Sequence, residues 1–144
     1  MDAQAAAAAA VTTPTTGTFV AKFTIKLVSA VPSGSEVECV LDADTEDIND
    51  STYTVNNSIA ESASGKATVS GSTATCTATL PYSWYLLYPT TDTVELTYQL
   101  YILSPTATNQ TAISRVSDQY VPGAGAIKVP ATGTTTTYTI SATL

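Results

Sequence analysis

From Thr18 onwards, hydrophobic and polar residues alternate with a period of two. Phe19, Ala21, Phe23, Ile25 and Leu27 share one parity, and Thr18, Lys22, Thr24 and Lys26 share the other. This is the pattern of a strand with one buried face. After the turn-forming VPSGS, Val37, Cys39, Leu41 and Ala43 alternate with Glu36, Glu38 and Asp42. The same reading predicts strands over residues 66–70 and 72–80, divided at Gly71, and over 93–103, 113–120 and 134–144. Shorter ones are expected at 51–55 and 84–88. With turn signals between them, about 7–9 such strands make an all-β sandwich or barrel, and an antiparallel sandwich is the expected form.

The first two strands invite a register. If they pair antiparallel as a hairpin, Lys26 faces Glu38 and Lys22 faces Asp42 on the outside, while Ile25 meets Cys39 and Phe23 meets Leu41 on the inside. Opposite charges and apolar pairs then fall into place together, as cross-strand neighbours should.

Ahead of the alternation, residues 1–17 are of low complexity: a run of six alanines, then VTTPTTG. Punctuated by Pro14 and Gly17, this stretch is expected to be a flexible Ala/Thr-rich arm in front of a single domain over residues 18–144. It lacks the charged start and long apolar stretch of a secretory signal. Met1 fits either a native start or one added to a mature chain.

Composition agrees with sheet. The chain has 28 Thr and 14 Ser but only 12% charged residues, against 44% hydrophobic. Disorder is excluded at that hydrophobicity, and β-branched Thr favours pleated, half-exposed positions. A net charge of −7 with five Lys and Arg leaves no basic surface for nucleic acid or an anionic membrane. No apolar run approaches the ~20 residues of a membrane-spanning helix.

Cys39 and Cys76 both fall on the inward parity of an alternating strand. They are expected to join facing sheets as a disulfide, which places the protein in an oxidising compartment, outside the cell or at its surface, a virion surface included. The alternative is two buried free thiols. In general plan, residues 18–144 resemble the immunoglobulin-type sandwich, with many Thr-rich strands and a pair of inward cysteines. Trp84 departs from the antibody pattern because it follows both cysteines instead of falling between them. The resemblance implies an architecture and carries no functional residues.

With no histidine in the chain, Ser-His and Cys-His nucleophilic chemistry is excluded and no enzymatic activity is expected. Glu36 and Glu38 lie two apart on one strand face, but an exposed face does not raise a carboxyl pKa as acid catalysis requires. The segment DADTEDIND concentrates Asp42, Asp44, Glu46, Asp47, Asn49 and Asp50. It is a candidate calcium site if it forms an oxygen-rich loop, although it lacks the EF-hand glycine and final glutamate. A solvated acidic loop is the favoured reading. Tyr82, Trp84, Tyr85 and Tyr88 form the densest aromatic stretch, a candidate carbohydrate-stacking surface if exposed and a piece of core if buried.

By elimination, the sequence points to a non-enzymatic structural or interaction protein. The expected partner is a further copy or a neighbouring surface protein, with the N-terminal arm mediating self-assembly. A carbohydrate-binding module is the alternative.

Overall fold

The computed structural model describes Val11, residues 13–104 and residues 112–144, and none of these is helical. Nine strands form: β1 (Thr15–Lys26), β2 (Glu36–Asn49), β3 (Thr54–Lys66), β4 (Thr68–Ser70), β5 (Thr73–Trp84), β6 (Thr93–Leu103), β7 (Ala112–Tyr120), β8 (Ile127–Lys128) and β9 (Thr134–Thr143). One sheet, sheet A, has the order β4-β5-β1-β9. The other, sheet B, has the order β3-β2-β6-β7, with β8 added to β6. The two sheets pack face to face as a sandwich, as the alternation predicts.

Parity decides the core. Phe19, Ala21, Phe23 and Ile25 from β1, Ala74, Cys76, Ala78 and Leu80 from β5, and Ile140 from β9 point inward from sheet A. Val37, Cys39, Leu41 and Ala43 from β2 meet them with Val94, Leu96, Tyr98 and Leu100 from β6. Contact between the layers is direct: the Phe23 ring sits edge-on to Tyr98, with centroids 5.4 Å apart. Cys39 on β2 and Cys76 on β5 form the expected disulfide, with Cα atoms 6.2 Å apart, and so join sheet B to sheet A.

The expected β1–β2 hairpin does not form. β1 lies in sheet A, antiparallel to β5 and parallel to β9, while β2 lies in sheet B between β3 and β6. Phe23 therefore lies across the sandwich from sheet B, against Tyr98 of β6, and not beside Leu41 in one sheet. Lys22 is flanked by Thr77 and Thr139, and Lys26 by Thr73 and Thr143. Glu36 takes its ion pair from Lys66 of β3, at 3.2 Å. The parallel β1–β9 pair also departs from a purely antiparallel sandwich.

Other boundaries differ. Thr15, Thr16 and Gly17, expected in the arm, belong to β1, and the rest of the arm lies largely outside the described residues. The strand expected at 51–55 is a turn followed by the start of β3. This turn is built on Asn49, whose Oδ1 accepts from the Ser51 and Thr52 amides, and Tyr53 adopts a positive φ of 56°. The strand expected at 84–88 is the end of β5 and the segment beyond it.

Gly65 is required where β3 crosses towards β5. A Cβ there would collide with the Thr77 carbonyl oxygen, and the Cys76 sulfur packs 3.2 Å from the Gly65 carbonyl oxygen.

Candidate functional site

The acidic segment is a strand and not a loop. Asp42, Asp44 and Glu46 lie on the outer parity of β2, Asp47 points inward, Asn49 ends the strand and Asp50 lies in the turn. Pleating therefore divides the expected calcium ligands between opposite faces. Among the described residues, no three acidic or thiol side chains come together as a metal-binding group. The outer carboxylates instead join Glu95 and Asp118 on the exposed face of sheet B. Asp44 is directly opposite Glu95, and a shallow cleft of about 410 Å³ between β2, β3 and β6 is bordered by Asp44, Glu46 and Glu95. Burial raises the Asp42 pKa; a hydrogen bond from Gln99 opposes the rise, and the charges of Asp44 and Asp118 add to it.

The aromatic stretch divides as well. Tyr82 and Trp84 are on the inward parity of β5 and are buried. Their rings stack with centroids 4.2 Å apart, and Phe19 stacks on Tyr82 at 4.8 Å. Gly17 makes this possible, since a Cβ at that position would run into the Tyr82 phenol. The Trp84 indole N–H donates to Glu61 Oε1 of β3 at 3.0 Å, bridging the two sheets. Neither ring presents a face to a sugar. Tyr85 is exposed, whereas Tyr88 is half-buried and its hydroxyl accepts from Asn49 Nδ2.

Asp47 occupies a place the sequence reading missed. It is fully buried at the end of β2. Its Oδ2 accepts from the Leu87 amide at 2.9 Å and from Asn56 Nδ2 at 2.8 Å, and its Oδ1 accepts from the Tyr88 amide at 3.0 Å. Asn56 reaches inward because β3 bulges there: Asp47 is opposite Asn57, and Ile48 is opposite Val55. Burial alone would raise the Asp47 pKa, but these donors together with Asp92 outweigh it and hold the carboxyl below its ordinary value. Asp92, 3% exposed, is driven the other way, to about 7, by burial, its hydrogen bond with Asp47 and the charges of Asp47 and Asp50. The sequence did carry a signal. Asp47 continues the inward parity of Cys39, Leu41, Ala43 and Thr45, where a carboxylate needs partners.

The sheet edges differ sharply. β3 carries Glu61, Lys66 and the Asn56 bulge. β7 carries Arg115 and Asp118, has two register shifts against β6, and places Asp118 at a positive φ of 49°. β4 covers only the first residues of β5, and Pro81 interrupts the donor pattern of the remainder. β9 has none of these features. It pairs with β1 in an unbroken register from Thr134 to Thr143 without a charged residue, proline or glycine. Among the described strands, nothing pairs with its outer side. Charges, bulges and prolines are the usual protections against edge-to-edge association, and β9 lacks them all.

No protein-family model, curated protein or solved structure matches the chain.

Proposed function

We propose that this protein is a non-enzymatic structural subunit, displayed outside the cell or on a virus particle, that assembles with copies of itself by strand addition at β9. The unprotected β9 edge is the observation that carries this reading. An added strand would take up the unpaired main-chain groups along the ten residues of β9, roughly one pair of hydrogen bonds every second residue.

The N-terminal arm supplies the added strand. With β1 starting at Thr15, the segment left for this role is residues 2–14. Beyond Asp2 it is uncharged and composed mainly of Ala and Thr, small enough to lie beside the Thr-rich edge of β9 without steric conflict. The inter-sheet disulfide supports the extracellular setting, because such bonds persist in oxidising compartments.

Two variants test the proposal by light scattering and electron microscopy at matched concentrations. Deleting residues 2–14 removes the donor. Thr136→Lys places an inward-pointing charge in the acceptor edge, a device that blocks edge pairing. Both are expected to abolish higher-order particles formed by the unmodified chain while leaving the monomer folded. Assembly that persists in both would defeat the proposal.

A further inference from the structure

We propose that Asp47 and Asp92 share one proton and form a pH-dependent clasp, which fastens residues 86–92 to the end of β2 while Asp92 is protonated and loosens when it ionises. This inference is independent of the assembly reading.

The hydrogen bonds around the two side chains favour a proton on Asp92. Asp47 has both oxygens occupied by donors: the Leu87 and Tyr88 amides and Asn56 Nδ2. It is therefore the partner that stays ionised. Asp92 Oδ1 accepts from the Ile48 amide at 3.0 Å, but its Oδ2 is buried with no donor directed at it. An ionised Asp92 would leave that oxygen unsatisfied beside a second negative charge. A protonated Asp92 instead donates to Asp47, which removes both costs.

The charged surroundings favour the neutral form. Asp47 faces Asp92 from β2, and Asp50 adds its charge from the following turn. β8 contributes Lys128, which is exposed, and the Val129 amide after it donates only to the Asp92 main-chain carbonyl. The three donors on Asp47 leave one lone-pair site, on Oδ1, to receive the Asp92 proton.

What the clasp holds is specific. Leu86 is buried in the core, and the Leu87 and Tyr88 amides end on Asp47. The segment closes on itself as the Asp92 amide donates to the Tyr88 carbonyl at 2.9 Å. Opening the pair frees the connection between β5 and β6 at one end of the sandwich.

The sign follows from proton linkage. The Asp92 pKa is about 7 when closed, against 3.8 for an ordinary aspartate. Closure is therefore most favourable at low pH and weakens as pH rises from about 4 to about 7, with the opening constant growing up to about tenfold per pH unit before levelling off. Asp47, with its pKa lowered, works in the opposite sense. Its contribution is present above the ordinary aspartate pKa and is lost as pH falls further below it.

Two measurements on the full chain test the clasp. Carboxyl-carbon NMR of the unmodified protein is expected to show one aspartate titrating near neutral pH while Asp47 remains ionised. Amide hydrogen exchange, corrected for its intrinsic pH dependence, is expected to show faster opening at Ile48, Leu87 and Tyr88 as pH rises through that window. Asp92→Asn retains a side-chain donor towards Asp47 and should flatten the exchange profile. If Asp92 titrates like an ordinary aspartate, or if exchange is unchanged across the window, the clasp is overturned. Protection restored at high pH by added Ca²⁺, and absent from Asp92→Asn, would also overturn it by assigning the free oxygen to a cation.

Discussion

The two outer faces of the sandwich obey one parity rule and present opposite chemistry. On sheet A, the outward positions form ranks across three strands, such as Thr79, Val20 and Thr137, or Thr75, Thr24 and Ser141. Lys22 and Lys26 are the charges that β1 sets among these hydroxyls. On sheet B, the outward positions of β2 and β6 carry Asp42, Asp44, Glu46 and Glu95. The edges follow the same division, with charges and bulges on β3 and β7 and an unbroken, uncharged β9. Negative charge and irregular edges keep sheet B apart from other sheets. Sheet A has no comparable barrier, so association is expected on its side of the molecule.

The comparison can be tested first where the sheets are joined. Trp84→Ala empties the largest buried side chain and leaves Glu61 without its indole donor. It is expected to destabilise the fold by about 5 kcal/mol, the upper end for large-to-small core changes, as measured by urea unfolding. A loss below about 1 kcal/mol, with impaired glycan binding, would instead return the aromatic stretch to the surface role rejected above. Next in size is the disulfide. Replacing Cys39 and Cys76 together by Ala frees a chain separation of 37 residues and should cost about 4 kcal/mol in the chain-entropy model. Reduction of the unmodified protein should lower its unfolding midpoint similarly.

The smallest effect addresses the charge contrast itself. Asp44 and Glu95 face each other directly on sheet B, and like charges in that relation are unfavourable. Glu95→Gln should stabilise the protein by a few tenths of a kcal/mol at low salt and by less at high salt, where the repulsion is screened. The polar swap Thr77→Gln on sheet A should show no such salt dependence. Equal salt dependence for both would show that the two faces do not differ electrostatically.

Much of the architecture was legible from alternation because burial on one face imposes it directly. The strand expected at 93–103 coincides with β6 (Thr93–Leu103), and the residues expected to point inward from β1 and β2, with Cys76 from β5, do so. β3 was not legible over most of its length. It is an edge strand whose inner positions are small or half-exposed, with Ala60, Ser62 and Ser64 on the other face, so little hydrophobic contrast marks it. The candidate sites were less legible still. An acidic stretch such as Asp42, Asp44 and Glu46 looks the same on an exposed strand and in a loop. Tyr82 and Trp84 show their role only once Phe19 and Gly17 lie beneath them.

The sequence by itself determined which side of each strong strand is buried, that the body is sheet, and that Cys39 and Cys76 share an interior. Only the tertiary structure decided which strands are neighbours. Side-by-side pairing and face-to-face packing both require Phe23 and Leu41 to point inward, so a period of two cannot distinguish them. The Lys–carboxylate matches that favoured a β1–β2 hairpin are surface ion pairs, each worth at most about 1 kcal/mol, too little to set a topology against burial of two whole sheet faces. The open edge of β9 and the meeting of Asp47 with Asp92 arise from that choice of neighbours, because each depends on residues far apart in the chain.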